Sequence, residues 1–153
     1  MLTVVLMNQL LRVPSSNTPG GAASIGRGRT KFAEAGCALC HTPSLRTSDF
    51  SRFEALRGKA VNLYSDLALH HMGATLADEI LQGDAGPAEF RTAPLWGLGQ
   101  RIFFLHDGRT KNLVNAILAH NSSGSEANTS SFLFFNGLST SQKQDVINFL
   151  RSL

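Results

Sequence analysis

The pentapeptide Cys37-Ala38-Leu39-Cys40-His41 contains both cysteines of this 153-residue chain. A C-x-x-C-H sequence is typical of a haem c attachment site. On a short helical turn the two thiols can reach the two vinyl groups of one porphyrin and form thioethers, and the adjacent imidazole can bind the iron. The motif therefore predicts one covalently attached haem c, held by Cys37 and Cys40, with His41 as the proximal iron ligand.

Two other kinds of site use a C-x-x-C pair. A thioredoxin-like dithiol lies in a βαβ unit, and the sequence shows no alternation of strands and helices around Cys37. A structural zinc site takes four Cys or His ligands, and no second C-x-x-C or H-x3-H follows. A haem-free metal or dithiol module is therefore the less favoured alternative.

Composition bounds the class of protein. Hydrophobic residues make up 42% of the chain, which is ordinary for one globular domain, and charged residues only 16%, a low content that is compatible with a cofactor but does not demand one. The net charge is +3, but no cluster of Lys and Arg with interleaved aromatic residues occurs. We therefore expect no nucleic-acid partner.

The first 22 residues are predicted to form an N-terminal helix and linker, the remnant of a preceding domain, with a haem domain over 23–153. The apolar stretch at 1–11 is too short to span a bilayer and lacks the basic start of a signal peptide. We expect no membrane span. Because haem c is attached outside the cytoplasm, we expect the chain to be part of a longer exported protein, in the periplasm or otherwise extracytoplasmic.

Two helices are predicted to cross beside the cofactor. The first runs from about Ser24 to Gly36, and its Gly28-x-x-x-Phe32 places a small residue and an aromatic on one face, which permits close approach. The last begins with a capping box of Ser139 and Gln142. Apolar residues follow at helical spacing: Val146, Ile147, Leu150 and Leu153.

The middle of the chain is less regular. Residues 42–62 are predicted as loop, Thr75 to Gln82 as a short helix, and Thr110 as the cap of a helix that runs to His120. No strand-like alternation is visible. The predicted fold class is therefore all-α, a cytochrome c-like helical domain around one haem.

The second axial ligand of the iron has several candidates. Met72 is favoured, because a thioether stabilises ferrous iron and raises the reduction potential, as an electron carrier requires. His70 or His71 would give a bis-His iron of lower potential. His106 is expected to organise a turn and His120 to complement a helix dipole. Further candidates for the pocket, or for ordinary packing and surface positions, are Trp96, Phe103, Phe104, Arg91, Arg101 and Arg109.

Six motifs in order resemble the C-terminal haem domain of the bacterial di-haem oxidoreductase family, over about residues 24 to 153. They are Cys37-Ala38-Leu39-Cys40-His41, Leu63 to Gly73, Leu76-Ala77-Asp78, Glu89 to Gly99, Phe104 to Arg109, and Ala116-Ile117 with His120. The chain departs from the family in two places. His71 replaces an acidic residue, and Ser123 to Ala127 is a looser form of Gly-Gly-Glu-Ala.

The resemblance implies redox chemistry in the bacterial cell envelope, since the family is similar to the di-haem cytochrome c peroxidases. It implies electron transfer to a redox partner protein or a second haem domain. An alternative is a peroxidase-like haem enzyme with an open or labile sixth iron position. His70, His71 or His106 would then be the acid–base group.

Overall fold

The computed structural model describes residues 20–153. The predicted N-terminal helix and most of its linker lie outside the described residues, so the domain boundary stays a prediction. The helices are α1 (Gly21–Glu34), α2 (Leu113–Leu118), α3 (Asn128–Phe132), which continues as a π-helical turn (Leu133–Gly137), and α4 (Thr140–Arg151). Short 3-10 turns lie at Cys37–Leu39, Glu54–Leu56 and Leu98–Gln100. The strands are β1 (Leu45–Arg46), β2 (Ala60–Val61), β3 (Leu69–His71) and β4 (Glu89–Arg91).

The all-α prediction is wrong, because the strands form two small antiparallel sheets. Strand β1 pairs with β2, with Leu45 opposite Val61, and β3 pairs with β4, with His70 opposite Phe90. Each strand has only two or three residues, which is too short for alternation to appear in the sequence. Residues 42–62, predicted as loop, contain the first of these sheets.

The helix predicted over Thr75 to Gln82 is also wrong. Asp78 Oδ1 accepts a hydrogen bond from Ile80 N at 3.0 Å, and Glu79 has a left-handed φ of 61°. An Asp side chain that bonds to the backbone two residues later competes with the helical hydrogen bonds. Gln82 instead forms a bridge with Ala85.

One predicted helix cap is confirmed and the other is wrong. The capping box of α4 is confirmed: Ser139 Oγ accepts from Gln142 N, and Gln142 Oε1 accepts from Ser139 N at 2.8 Å. Helix α2 is capped by Asn112 rather than Thr110, since Asn112 Oδ1 accepts from Val114 N at 2.9 Å. No helix of the described part of the chain is long and apolar enough to cross a membrane.

The close crossing predicted for the first and last helices is confirmed. A Cβ at Gly28 of α1 would lie 2.8 Å from Phe149 Cβ and nearer still to the carbonyl of Asp145, both in α4. One turn later, Phe32 packs against Phe149 and Tyr64 with ring centroids 5.4 and 6.4 Å apart. The main core therefore forms where α1 meets α4.

A buried polar group ties the same two helices together. Asp145 accepts from Arg27 Nε at 2.7 Å and Nη2 at 3.0 Å, and from Ser24 Oγ at 2.5 Å. The Ser24 hydroxyl in turn accepts from Asn148 Nδ2 at 2.9 Å. The hydrogen bonds from Arg27 and Ser24 hold the pKa of Asp145 below its usual value.

Replacing Gly28 should weaken this crossing. We expect Gly28→Ala to lower the free energy of unfolding by about 1–3 kcal/mol, because the new methyl group overpacks the contact with α4. Gly26→Ala is the matched control: it lies in the same helix with nothing within 4 Å of its Cβ, so it should stabilise by about 0.5–1 kcal/mol. Urea titrations of both variants measure the difference; equal effects would contradict the close approach.

Acid should weaken the same contact. The pKa of Asp145 is lower in the folded chain than in the unfolded chain, so its contribution is complete above the ordinary carboxyl pKa of about 4 and is lost as the pH falls through the folded value. Between about pH 5 and about pH 2, where acid unfolding takes place, we expect the free energy of unfolding of wild type to fall more than that of Asp145→Asn. Urea titrations across that range measure both; parallel curves would argue against this role.

Candidate haem site

The two cysteines lie on the 3-10 turn that follows α1. Gly36, with φ of 82°, ends the helix, and a Cβ there would lie 2.8 Å from Ser130 Oγ of α3. Cys37 and Cys40 are free and half-buried, and Cys37 packs against the main core. Burial raises the pKa of Cys37 to about 11 and also raises that of Cys40. Both groups are therefore thiols, not thiolates, at neutral pH.

The ring of His41 is held from one side. Its Nδ1 lies 3.1 Å from the carbonyl oxygen of Tyr64, and its ring packs near Phe32 with centroids 6.3 Å apart. Burial lowers its pKa to about 4, although the hydrogen bond to Tyr64 opposes the shift, so the imidazole is neutral at pH 7. Within residues 20–153 no hydrogen bond reaches Nε2. A metal-binding histidine typically donates the N–H of its other ring nitrogen to a carbonyl or carboxylate, as Nδ1 of His41 can to Tyr64 O.

The chain that supplies the Tyr64 carbonyl is strained and well anchored. Tyr64 and Leu67 have φ of 53° and 62°, a conformation that is costly for residues with a Cβ. Backbone bonds fix the segment beside the haem motif: Asp66 N donates to Cys40 O at 2.8 Å, and Ser65 N to Thr42 O at 2.9 Å. The buried side chain of Tyr64 packs in the core. The partner of His41 is therefore set by the fold.

His70 is engaged at both ring nitrogens. Nδ1 lies 2.8 Å from Glu126 Oε2, and Nε2 lies 2.8 Å from Asp66 Oδ2. These two hydrogen bonds, the one to Glu126 first, raise the pKa of His70. The His70 hydrogen bond lowers the pKa of Glu126; for Asp66, burial opposes the bond from His70 but the pKa is still lowered. Nδ1 also lies 3.7 Å from Cys40 Sγ. The charged cluster of His70, Asp66 and Glu126 therefore borders the C-x-x-C-H motif, but both ring nitrogens of His70 are already bonded.

His71 and His106 contact other groups. Successive residues of a strand point to opposite faces, so His71 of β3 faces away from His70. Its Nδ1 lies 2.9 Å from Gly124 O. His106 stacks on Phe90 with ring centroids 4.2 Å apart. The turn that follows it is bonded by Asp107 instead, which accepts from Arg109 N at 3.1 Å.

Met72 is half-buried just after β3, on the face that also carries His70. Its backbone N donates to Ala88 O at 2.7 Å, which extends the pairing of β3 with β4. The side chain does not belong to the main core or to the residues that pack against it. Met72 as an iron ligand stays a prediction.

His120 was expected to complement a helix dipole, and its surroundings give a different picture. Its Nδ1 lies 2.8 Å from the carbonyl oxygen of Ala116, and burial lowers its pKa. A neutral imidazole adds no charge to the end of α2. A proton on His120 would lower the pKa of His41, so the two rings lie close enough to interact.

The other pocket candidates have mixed positions. Trp96 is half-buried, Phe104 packs against the main core, and Phe103 is 57% exposed. Arg101 donates to Pro94 O at 2.9 Å and Arg109 to Asp107 Oδ2 at 2.5 Å. The structure therefore favours ordinary packing or surface roles for Phe103, Arg101 and Arg109.

A second set of ligand atoms overlaps the motif. Cys40, Asp66 and His70 place one ligand atom each within 4.8 Å of one another, the one such group among the described residues. Haem attachment at Cys40 and metal binding by Cys40, Asp66 and His70 exclude each other, because a sulfur bound in a thioether is not a thiolate ligand. The sequence pointed to His70 and His71 but not to Asp66, four residues before His70, or to Glu126, which only chain folding brings to His70.

The residues around Cys37 fit a haem c: two free thiols on one turn, followed by a half-buried neutral imidazole whose Nε2 has no hydrogen-bond partner within residues 20–153. No curated protein and no solved structure matches this chain. The model of the family described as "Di-haem oxidoreductase, putative peroxidase" matches residues 2–153. That family implies a haem cofactor and oxidoreductase chemistry. With nearly its whole length matched, the chain belongs to the di-haem oxidoreductase family.

Proposed function

We propose that this chain is a c-type haem domain that transfers single electrons. Cys37 and Cys40 form the thioethers, and His41 binds the iron through Nε2. The observation that carries the proposal is the His41 imidazole, neutral and fixed at Nδ1 by the Tyr64 carbonyl, directly after two free thiols on one turn. Such a ring is oriented to bind iron through Nε2.

The chain's own residues set the properties of the bound group. When bound, the haem supplies a reversible one-electron couple. The Tyr64 carbonyl fixes the ring orientation of His41 and increases its basicity as a ligand. The core contacts of Cys37 and Phe32 place the motif against an apolar surface that excludes water from the buried side.

A second haem is proposed to come from another domain or a partner protein. The family is di-haem, whereas this sequence has two cysteines and hence one C-x-x-C-H motif. We also propose an extracytoplasmic location, since covalent haem c is attached there. The partner would accept or supply one electron at a time.

The alternative function is a peroxidase-like enzyme with a labile sixth iron position. One observation favours it: His70, bordering Cys40, is held between two carboxylates. Such a group can hold and deliver a proton. This function requires that peroxide reach the iron.

Removing each thiol should separate haem attachment from metal binding. In cells with the haem c maturation machinery, we expect wild type to keep its haem after denaturation. Cys37→Ser and Cys40→Ser should each keep one thioether at most, and the double variant should be colourless. Mass spectrometry and the pyridine haemochrome spectrum measure attachment.

Cys37→Ser also tests the metal alternative, because Cys37 lies outside the group of Cys40, Asp66 and His70. If wild type carried no covalent haem, and zinc bound to Cys37→Ser as to wild type but not to Cys40→Ser, the haem proposal would be refuted in favour of a metal module.

Peroxide should distinguish the carrier from the enzyme. We expect the ferric, haem-loaded chain to keep its visible spectrum when peroxide is added, because a carrier has both axial positions filled. Stopped-flow absorbance measures this, with a small electron donor present to detect turnover. Turnover by this chain, abolished in His70→Ala but not in His71→Ala, would favour the peroxidase function.

A further inference from the structure

We infer that His120 is the second axial ligand of the haem held by Cys37, Cys40 and His41, and that it binds through Nε2. The inference depends on the proposed function, since it requires a haem at the motif. It gives the iron two imidazole ligands instead of the His/Met pair predicted from the sequence.

The imidazole rings of His120 and His41 make the same kind of hydrogen bond. In each ring Nδ1 lies within hydrogen-bond distance of a backbone carbonyl, that of Ala116 at 2.8 Å and that of Tyr64 at 3.1 Å. Within residues 20–153 no hydrogen bond reaches Nε2 of either ring. A carbonyl at Nδ1 selects the tautomer whose Nε2 lone pair can bind a metal.

The first set of contacts that holds His120 near the C-x-x-C-H motif runs through α3. Gly36, the residue before Cys37, packs against Ser130, whose Oγ would lie 2.8 Å from a Cβ at that glycine. The next residue, Ser131, donates from Oγ to Ile117 O at 2.8 Å, in the last turn of α2. The end of α2, from which His120 projects, is therefore held near the turn that carries the thiols.

The second set of contacts runs through Glu126 in the loop after His120. Glu126 N donates to His71 O at 2.9 Å, and Glu126 Oε1 accepts from His71 N at 2.8 Å. Its Oε2 bonds to His70, which borders Cys40. The loop is thus fixed to β3 and, through β3, to the other side of the motif.

The other histidines are less suited to this position. His70 has a carboxylate at each ring nitrogen, His71 points to the opposite face of β3, and His106 stacks on Phe90. Met72 is the remaining competitor. Its described hydrogen bond is a backbone bond to Ala88, which fixes the strand and not the thioether.

Two imidazole ligands would make the site a low-potential electron carrier. Methionine raises the potential of a haem relative to histidine. With both positions filled by imidazole rings, small ligands would have to displace a protein ligand before they bind.

The test compares His120→Ala, His120→Met and Met72→Leu in haem-loaded full chain. Near-infrared absorption and electron paramagnetic resonance of the ferric protein identify the ligand pair, and a redox titration gives the potential. We expect a bis-imidazole signature in wild type and in Met72→Leu. His120→Ala should become high-spin and recover the low-spin spectrum with added imidazole. His120→Met should show the iron–sulfur charge-transfer band and a raised potential.

The outcomes distinguish failure of the ligand assignment from failure of the haem proposal. An iron–sulfur band in wild type that Met72→Leu abolishes would overturn the inference and leave the haem domain intact. Absence of covalent haem from wild type would overturn the proposed function itself, and the inference with it. If His120→Ala fails to fold, His120→Met decides, since it keeps a side chain of similar length: an unchanged spectrum and potential would overturn the inference.

Discussion

The crossing of α1 and α4 at Gly28 is the contact on which the rest of the structure depends. The absence of a side chain there lets the backbone of Asp145 approach, and Phe32 and Phe149 then close the core one turn later. Because the turn that carries Cys37 and Cys40 follows α1 directly, the crossing also positions the C-x-x-C-H motif. The buried Asp145, bonded from Arg27 and Ser24, fixes the two helices at the same point.

Beyond this crossing, the site is built from short, irregular segments that bond to one another. The strained Tyr64 carbonyl meets His41, and the backbone after it is bonded to Cys40 and Thr42. On the other side, Glu126 joins the loop after His120 to β3. Such bonds hold two imidazoles in place where few regular elements are available. A haem bound between the rings would join these segments as part of the core.

Charge is distributed unevenly around the motif. His41 and His120 are half-buried and neutral, whereas His70 lies between Asp66 and Glu126 and favours its charged form. The same residue type therefore has two electrostatic roles within one site. A neutral ring offers a lone pair to a metal, and a charged ring beside carboxylates stabilises a loop contact or holds a proton.

The sequence alone predicted the close crossing at Gly28, the capping box at Ser139, the family and a candidate haem site at the C-x-x-C-H motif, because each depends on residue types at short, fixed spacing. It could not predict the two-stranded sheets, the Asx turn at Asp78 or the cap at Asn112, since strands of two or three residues have no visible period and local side-chain bonds compete with helix. The distant surroundings of the histidines came from the tertiary structure. Asp66 is four residues from His70, but Glu126 reaches it from a loop 56 residues later in the chain, and only folding brings His120 near His41. Contacts between residues so far apart leave no pattern in the sequence.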